Sequence, residues 1–346
     1  GYRMFVLGLV TLPDEPQILD NPLVHVQLAP RLETALVVIW QYLSQLALPL
    51  HLSADYSFNA VPVVSSVRDP QFLGAAVLFT ALATLLALNG RRAPTLVLAA
   101  VFAALPMALT ANILFPIGTI KAERLLYLPS VGWCLACGWL ITQVRRRQAW
   151  AVAVITLVVV AYAGRTWMRN RDWQNDLTLF AATVQTVPGD AKAQYNLAKA
   201  YEDRGRLDAA MQHFRAALAI YPLDADSAFG IGRIYDKQGL ENDALNWYGR
   251  ATELNAGLAD AHLNIGVIRY RRGDLAVAER EFRSGLDSEP DNPRLLIGMS
   301  LVRAAQGHHA EAEETFNRVE AMAHTDVDIL KLLAQARQIL GQQVTR

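Results

Sequence analysis

Four apolar stretches dominate the first half of this chain: Phe72–Leu88, Thr95–Phe115, Leu125–Val144 and Trp150–Trp167. Each is close to the roughly 20 residues that a helix needs to cross a bilayer. In lipid every backbone amide must be satisfied within the protein, so such stretches have little choice but to be helical. A fifth stretch, Thr34–Leu50, is shorter and carries Gln41, Ser44 and Gln45. It fits a span, a re-entrant segment or a helix lying in the interface. Most charged side chains lie after about Gln174, so the composition divides the chain into a membrane region, 1–170, and a polar region, 174–346. Net charge is zero and no basic face is present, which excludes nucleic acid as a partner.

Loop charge suggests an orientation. Arg91 and Arg92 follow the first strong span, and Arg145, Arg146 and Arg147 follow the third. By alternation these loops share a side, which reads as cytoplasmic. The tight loop at 118–124 holds only Lys121 and Arg124, and the last span exits outward with the polar region behind it. Arg165, Arg169 and Arg171 run against this order. The residues Tyr2–Val10 resemble the tail of a hydrophobic segment, the chain begins with Gly, and a missing N-terminal part with further spans is expected.

Two segments then face outward: the loop Pro49–Pro70 and the approach to the third span. Glu123 and Arg124 stand at the mouth of that span, where charge is costly unless paired or used. A guanidinium there suits a phosphate headgroup, and it equally suits a snorkelling anchor paired with Glu123. Asp55 and Tyr56 could hold an acceptor hydroxyl or supply a base, or simply form an Asx turn. Cys134 and Cys137 form a Cys-x-x-Cys inside an apolar run, which reads as a buried, inert pair. Two thiols do not make a four-ligand zinc site, and no metal site is expected.

The polar region is periodic. Four 34-residue units follow without insertion: Ala191–Asp224, Ala225–Leu258, Ala259–Asn292 and Pro293–Asp326. Position 8 is small (Ala198, Gly232, Gly266, Ser300), and a turn glycine recurs as Gly205, Gly239, Gly273 and Gly307. Position 20 is Ala210, Ala244, Ala278 and Ala312, and position 24 is Phe214, Tyr248, Phe282 and Phe316. This pattern resembles the tetratricopeptide repeat, a helical hairpin that buries its apolar face only by stacking. Leu177–Val187 reads as a leading helix and Val327–Leu340 as a cap with Lys331, Gln335 and Arg337 outward. The expected fold is all-α, a polytopic helical membrane bundle followed by a repeat solenoid. First helices would line a concave face with Lys192, Tyr195, Lys199, Phe229, Arg233 and Asp236. Asn196 and Asn264 either bond an extended peptide or cap locally. Gly230–Gly232 is a packing feature, since no strand precedes it.

The order of Leu-Ser-Ala-Asp-Tyr-Ser-Phe-Asn-Ala-Val-Pro, spans, Ala-Glu-Arg-Leu-Leu-Tyr-Leu-Pro-Ser, a further span and repeats resembles the transmembrane and tetratricopeptide-repeat family of O-mannosyltransferases, in a bacterial-type version. The resemblance implies a type C glycosyltransferase fold and transfer of mannose or another sugar from a polyprenyl phosphate to protein hydroxyls. It places the lipid phosphate at Arg124, with Tyr127 and Pro129 completing the motif, Glu123 adjacent and Lys121 as helper. It makes Asp55 and Tyr56 an acceptor or sugar site and the repeat groove a holder of acceptor protein. The family's principal catalytic Asp lies in a first outer loop that this sequence lacks, so part of a donor site without complete catalytic apparatus is expected. The implied location is a bacterial inner membrane with the repeats periplasmic. The competing reading is a non-enzymatic anchored scaffold for envelope or polysaccharide-export assembly. The sugar, the acceptor proteins and any divalent metal are left open.

Overall fold

A computed structural model describes residues 20–143, 148–323 and 326–344, with the side chains of 148, 149 and 342–344 excepted. The Tyr2–Val10 stretch and the Arg145–Arg147 loop lie outside the described residues. The described chain is all-α and divides into two compact parts, one ending at Arg204 and one beginning at Gly205.

The first part holds α1 (Leu28–Ala47), α2 (Pro70–Asn89), α3 (Pro94–Thr110), α4 (Tyr127–Thr142), α5 (Gln148–Arg169), α6 (Asp176–Thr186) and α7 (Ala191–Glu202). Among the described residues three helical stretches are long and apolar enough to cross a membrane: Pro70–Asn89, Glu123–Thr142 and Trp150–Arg169. Their apolar side chains, among them Val77, Leu85, Leu140, Leu157 and Val160, stand exposed on the surface. In a membrane that surface is met by lipid, which costs nothing there. Asp69 starts α2 by accepting from the Gln71 and Phe72 amides at 2.8 and 3.0 Å, and Pro70 follows it. An acidic cap and a first-turn proline satisfy the helix end where the chain enters.

Two expectations are corrected and one open reading is narrowed. The stretch Thr95–Phe115 is not helical throughout: α3 is a shorter apolar helix that stops at Thr110. Asn112 ends it by taking a left-handed φ of 62°, which asparagine tolerates better than bulkier residues. Thr34–Leu50, left open above, falls up to Ala47 in a 20-residue amphipathic helix, α1, whose Thr34, Ala35, Val38, Ile39 and Tyr42 are buried in protein. It is not among the helices apolar enough to cross. Cys134 is exposed on α4 and Cys137 half-buried, because α4 turns that face away from its neighbours.

Helices α3 and α4 form a close hairpin. A Cβ built on Gly132 would lie 2.3 Å from the Ala99 carbonyl oxygen, so the backbones touch where only glycine fits.

The second part contains α8 (Leu207–Ile220), α9 (Ala225–Lys237), α10 (Glu241–Leu254), α11 (Ala259–Arg271), α12 (Leu275–Ser288), α13 (Pro293–Ala305), α14 (His309–Ala323) and α15 (Val327–Val344). The alternation of paired antiparallel helices is that of a tetratricopeptide-repeat solenoid. The four turn glycines all have positive φ, from 70° to 90°. Ala210, Ala244, Ala278 and Ala312 are fully buried, as are the rings of Phe214, Tyr248, Phe282 and Phe316. Small residues make room for those rings: a Cβ on Gly230 would meet Phe214 at 2.5 Å and one on Gly232 would meet Tyr248 at 2.5 Å. The outward face expected for the cap holds for Lys331 but not for Arg337, which reaches back to Glu313 and Glu320 at 3.2 and 2.9 Å.

Candidate functional site

Residues from three separate segments meet at one end of the apolar helices. After α1 the loop 48–69 turns back on itself. Ser53 and Ser57 are buried in it, and Asp55 accepts from the Tyr56 amide at 2.9 Å. After α3 the segment 111–122 is organised by Asn112, which is fully buried. Its Oδ1 accepts from the Ile117 amide at 2.9 Å and from Asn21 Nδ2 at 2.8 Å. Its Nδ2 donates to the carbonyls of Thr119 and Ile120. The segment then enters a 3-10 turn, Glu123–Leu126, that leads into α4.

Glu123 joins the two segments. Its Oε1 accepts from the Ser53 amide at 2.5 Å and from Tyr56 Oη at 3.0 Å. Tyr56 Oη in turn accepts from Gln45 Nε2 at 2.9 Å and from the Ser53 amide at 3.1 Å. Burial, with the charge of Glu123 behind it, pushes the Tyr56 phenol above its ordinary value, so it stays a donor at any physiological pH.

Lys121 lies beside this bond and is only 4% exposed. Its Nζ sits 4.4 Å from the centroid of the Tyr56 ring and 5.8 Å from that of Tyr42. It donates to Gln41 Oε1 at 3.1 Å. Burial lowers its pKa to about 8, against the opposing pull of Glu123. A cavity of about 460 Å³ opens here, lined by Lys121, Tyr56, Gln41, Gln45 and His51 together with Thr186–Gly189 before α7. That is the size of a small-ligand pocket, with one cation, several amides and hydroxyls, and no carboxylate on its lining.

Arg124 and Tyr127 behave differently from Lys121. Both are exposed, Tyr127 to 85%. Among the described residues Arg124 has no ion pair, and its neighbour Glu123 is engaged by Ser53 and Tyr56 instead. The snorkelling pair of Arg124 with Glu123 is therefore not formed.

Asp55 and Tyr56 diverge although adjacent. Tyr56 turns to Glu123, while Asp55 Oδ2 accepts from Ser57 Oγ at 3.3 Å, on the side of Asp190. Burial and the nearby Asp190 raise the Asp55 carboxyl above the usual range, with Lys192 opposing. The sequence reading did not anticipate Ser57, Asp190 or Gln45, since nothing in their spacing links them.

Basic residues at and just after the end of α5 that complicate the charge order have local uses. Arg165 donates to the carbonyls of Pro49 and Leu50 at 3.1 and 2.8 Å, and Tyr162 Oη donates to those of Leu46 and Ala47. Arg169 pairs with Asp172 at 2.9 Å, and Arg171 lies 4.5 Å from the Trp167 ring.

The proposed peptide-groove residues fall in both compact parts. Tyr195, Asn196 and Lys199 are on α7, with Lys199 exposed. Phe229 and Arg233 are on α9, 5.4 Å apart from ring to guanidinium, and Asn264 is half-buried on α11. Among the described residues no group of three or more His, Cys, Asp or Glu side chains could hold a metal ion.

Comparison with known proteins agrees with this architecture. The family profile described as Protein O-mannosyl-transferase TMTC, DUF1736, matches residues 13–83, which include the loop bearing Asp55 and Tyr56. Tetratricopeptide-repeat profiles match 163–225, 229–293 and 269–336. Protein O-mannosyl-transferase Tmtc3 of Drosophila melanogaster is 28% identical over 63% of this chain and 24% of that protein. Protein O-mannosyl-transferase TMTC3 of Homo sapiens is 25% identical over 83% of this chain and 34% of that protein. Protein O-mannosyl-transferase TMTC1 of Homo sapiens is 30% identical over 50% of this chain and 21% of that protein. Among solved structures, MamA is 18% identical with a TM-score of 0.40, over 48% of this chain and 96% of that one. The chain thus spans about a fifth to a third of the length of these curated relatives. With its apolar helices, its matched loop and its repeats, it is similar to the TMTC protein O-mannosyl-transferases over the matched regions.

Proposed function

We propose that this chain is part of a membrane glycosyltransferase that moves a sugar, mannose by family analogy, from a polyprenyl phosphate to hydroxyls of proteins held by the repeats. The observation that carries the reading is the Glu123–Tyr56 hydrogen bond. It closes the outer loop onto the start of α4 and leaves Arg124 exposed at the mouth of an apolar helix, where a lipid phosphate would lie. A planar guanidinium with no ion pair is suited to two phosphate oxygens. The Lys121 cavity behind it is polar and of a size to take the sugar. In transfer, the acceptor oxygen would bond to the anomeric carbon as the bond from that carbon to the phosphate oxygen breaks, with the hydroxyl proton ending on the departing phosphate. Arg124 would balance the charge left on the departing phosphate.

The repeats would face the outer side of the membrane, which is the periplasm if the membrane is a bacterial inner membrane. Basic Arg91 and Arg92 at the opposite end of α2 support that orientation. The test is hexose addition to secreted proteins by the full-length parent in membranes supplied with polyprenyl-phosphate-mannose, read by intact-mass spectrometry. Arg124→Ala is expected to abolish addition while the protein stays folded. Undiminished transfer by that variant would sink the assignment. No transfer by the wild type with any lipid-linked sugar would favour a scaffold.

A further inference from the structure

The entry to α7 meets the outer loop through three consecutive residues, and a fourth ties it to Asp20. Asp190 is fully buried, and its carboxylate accepts from the Ser57 amide, Ser57 Oγ and the Ala193 amide, each at 2.9 Å. The Ala191 amide donates to the Phe58 carbonyl at 3.4 Å. Gly189 lies against Asn59: a Cβ built on it would sit 3.5 Å from the Asn59 carbonyl oxygen. Lys192 pairs with Asp20 at 2.6 Å. A helix cap needs only the Ala193 contact, yet Asp190 spends two further acceptor positions on a residue 133 positions earlier in the chain. The residues just before this clasp, Thr186–Gly189, form one wall of the Lys121 cavity.

We propose that Ser57 and Asp190 are positioning residues that hold Thr186–Gly189 in place as a wall of the Lys121 cavity, so that the start of the repeats controls access to it. This rests on the reading of the cavity as a substrate site. The physical argument is the placement of the clasp. A buried carboxylate with three donors does not move without leaving charge or amides unsatisfied, so the wall stays shut while the clasp holds. Release of the clasp loosens the 186–189 segment, which is otherwise held by the end of α6, by Gln194 Nε2 donating to the Pro188 carbonyl at 3.0 Å and by Val187 packed against the core. A protein chain engaging α7 would act on the same hinge.

The test separates this idea from the function. Asp190→Asn keeps an N-cap residue for α7, since asparagine caps as well as aspartate, and weakens the bonds to Ser57. Ser57→Ala removes only the hydroxyl and serves as the milder variant. The full chain, purified in a nonionic detergent, is treated with a small amine-reactive ester. Labelling of Lys121 is read by mass spectrometry against exposed Lys331. Hydrogen exchange is followed in peptides covering 53–62 and 189–197. The expected result is faster exchange in both peptides and Lys121 labelling raised about fivefold in Asp190→Asn, less in Ser57→Ala. In membranes the same variants should raise KM for the lipid-linked sugar more than they lower kcat. Faster exchange with unchanged Lys121 labelling would overturn the proposal, and so would unchanged exchange. If the wild type transfers no sugar, the proposed function fails, and the labelling still decides whether the clasp guards the cavity.

Discussion

Phe282 offers a test whose sign inverts between two backgrounds. Its ring is 1% exposed and is gripped from two sides, by Gly266 of its own unit and by Gly298 of the next. A Cβ on either glycine would fall 2.6 Å from the ring. In the wild type Gly266→Ala must therefore displace a ring that cannot retreat toward Gly298. Overpacking of this kind costs up to about 3 kcal/mol, from which about 1 kcal/mol of helix propensity is recovered, a net loss near 2 kcal/mol. Phe282→Ala alone should cost about 3–5 kcal/mol through lost burial and the void left behind. In that background Gly266→Ala meets no ring. It gains about 1 kcal/mol of propensity and about 0.8 kcal/mol for a newly buried methyl, and so stabilises by nearly 2 kcal/mol. The assay is urea unfolding of residues 188–346, followed by far-ultraviolet circular dichroism. The fragment is expected to fold alone because repeat contacts are made with nearest neighbours. Destabilisation by Gly266→Ala in both backgrounds, or stabilisation in both, would refute the account of these glycines as room for the ring.

Two further outcomes follow from single buried groups. His262 holds Glu281 at 2.8 Å and the Ala256 carbonyl at 3.1 Å, and the Glu281 bond raises its pKa above the ordinary 6.5. Its contribution to repeat stability should be complete below that ordinary value and fade as pH climbs through the raised one, a slope that His262→Gln should flatten in urea titrations at stepped pH. Asn112→Ala should destabilise the first part by about 2–4 kcal/mol, by stranding the Ile117 amide and two carbonyls and placing alanine at positive φ; thermal melts in detergent would read it.

What the sequence made legible was whatever repeats or runs. The turn glycines, the buried alanines and the aromatic at position 24 are local and recur every 34 residues, so periodicity alone places them. The apolar stretches are likewise local sums over about 20 residues. Asn112 was not legible as a helix stop, because an asparagine in an apolar run carries its meaning only through the carbonyls of Thr119 and Ile120 and through Asn21. The same holds for Ser57 with Asp190 and for Tyr56 with Glu123, pairs 133 and 67 residues apart. Asp55 and Tyr56 read as one feature because they are adjacent, yet a loop sends neighbouring side chains in different directions. Of Arg165, Arg169 and Arg171, only Arg169 is paired with a carboxylate among the described residues, so the other two keep their charge against the expected order.

Those partners also bear on the path of α3. Tyr162 and Arg165, near the end of α5, bond carbonyls at and just after the end of α1, and Glu123, just before α4, bonds Tyr56 in the loop before α2. The start of α2, the start of α4 and the end of α5 therefore share one end of this part of the molecule. Helix α2 is long enough to leave that end and cross, so α3 must bring the chain back before α4 can begin there. At 1.5 Å per residue the 17 residues of α3 reach about 25 Å, short of the roughly 30 Å hydrocarbon thickness. The difference is made by 111–122, which is not helical and whose polar backbone would be costly in lipid. Ala111, Asn112 and Ile120 are fully buried in protein, and the Asn112 side chain answers the amide and carbonyls of that segment. Irregular backbone at membrane depth is tolerated where protein covers it, and that shelter is what lets a short α3 return the chain to the face where Lys121, Glu123 and Arg124 lie.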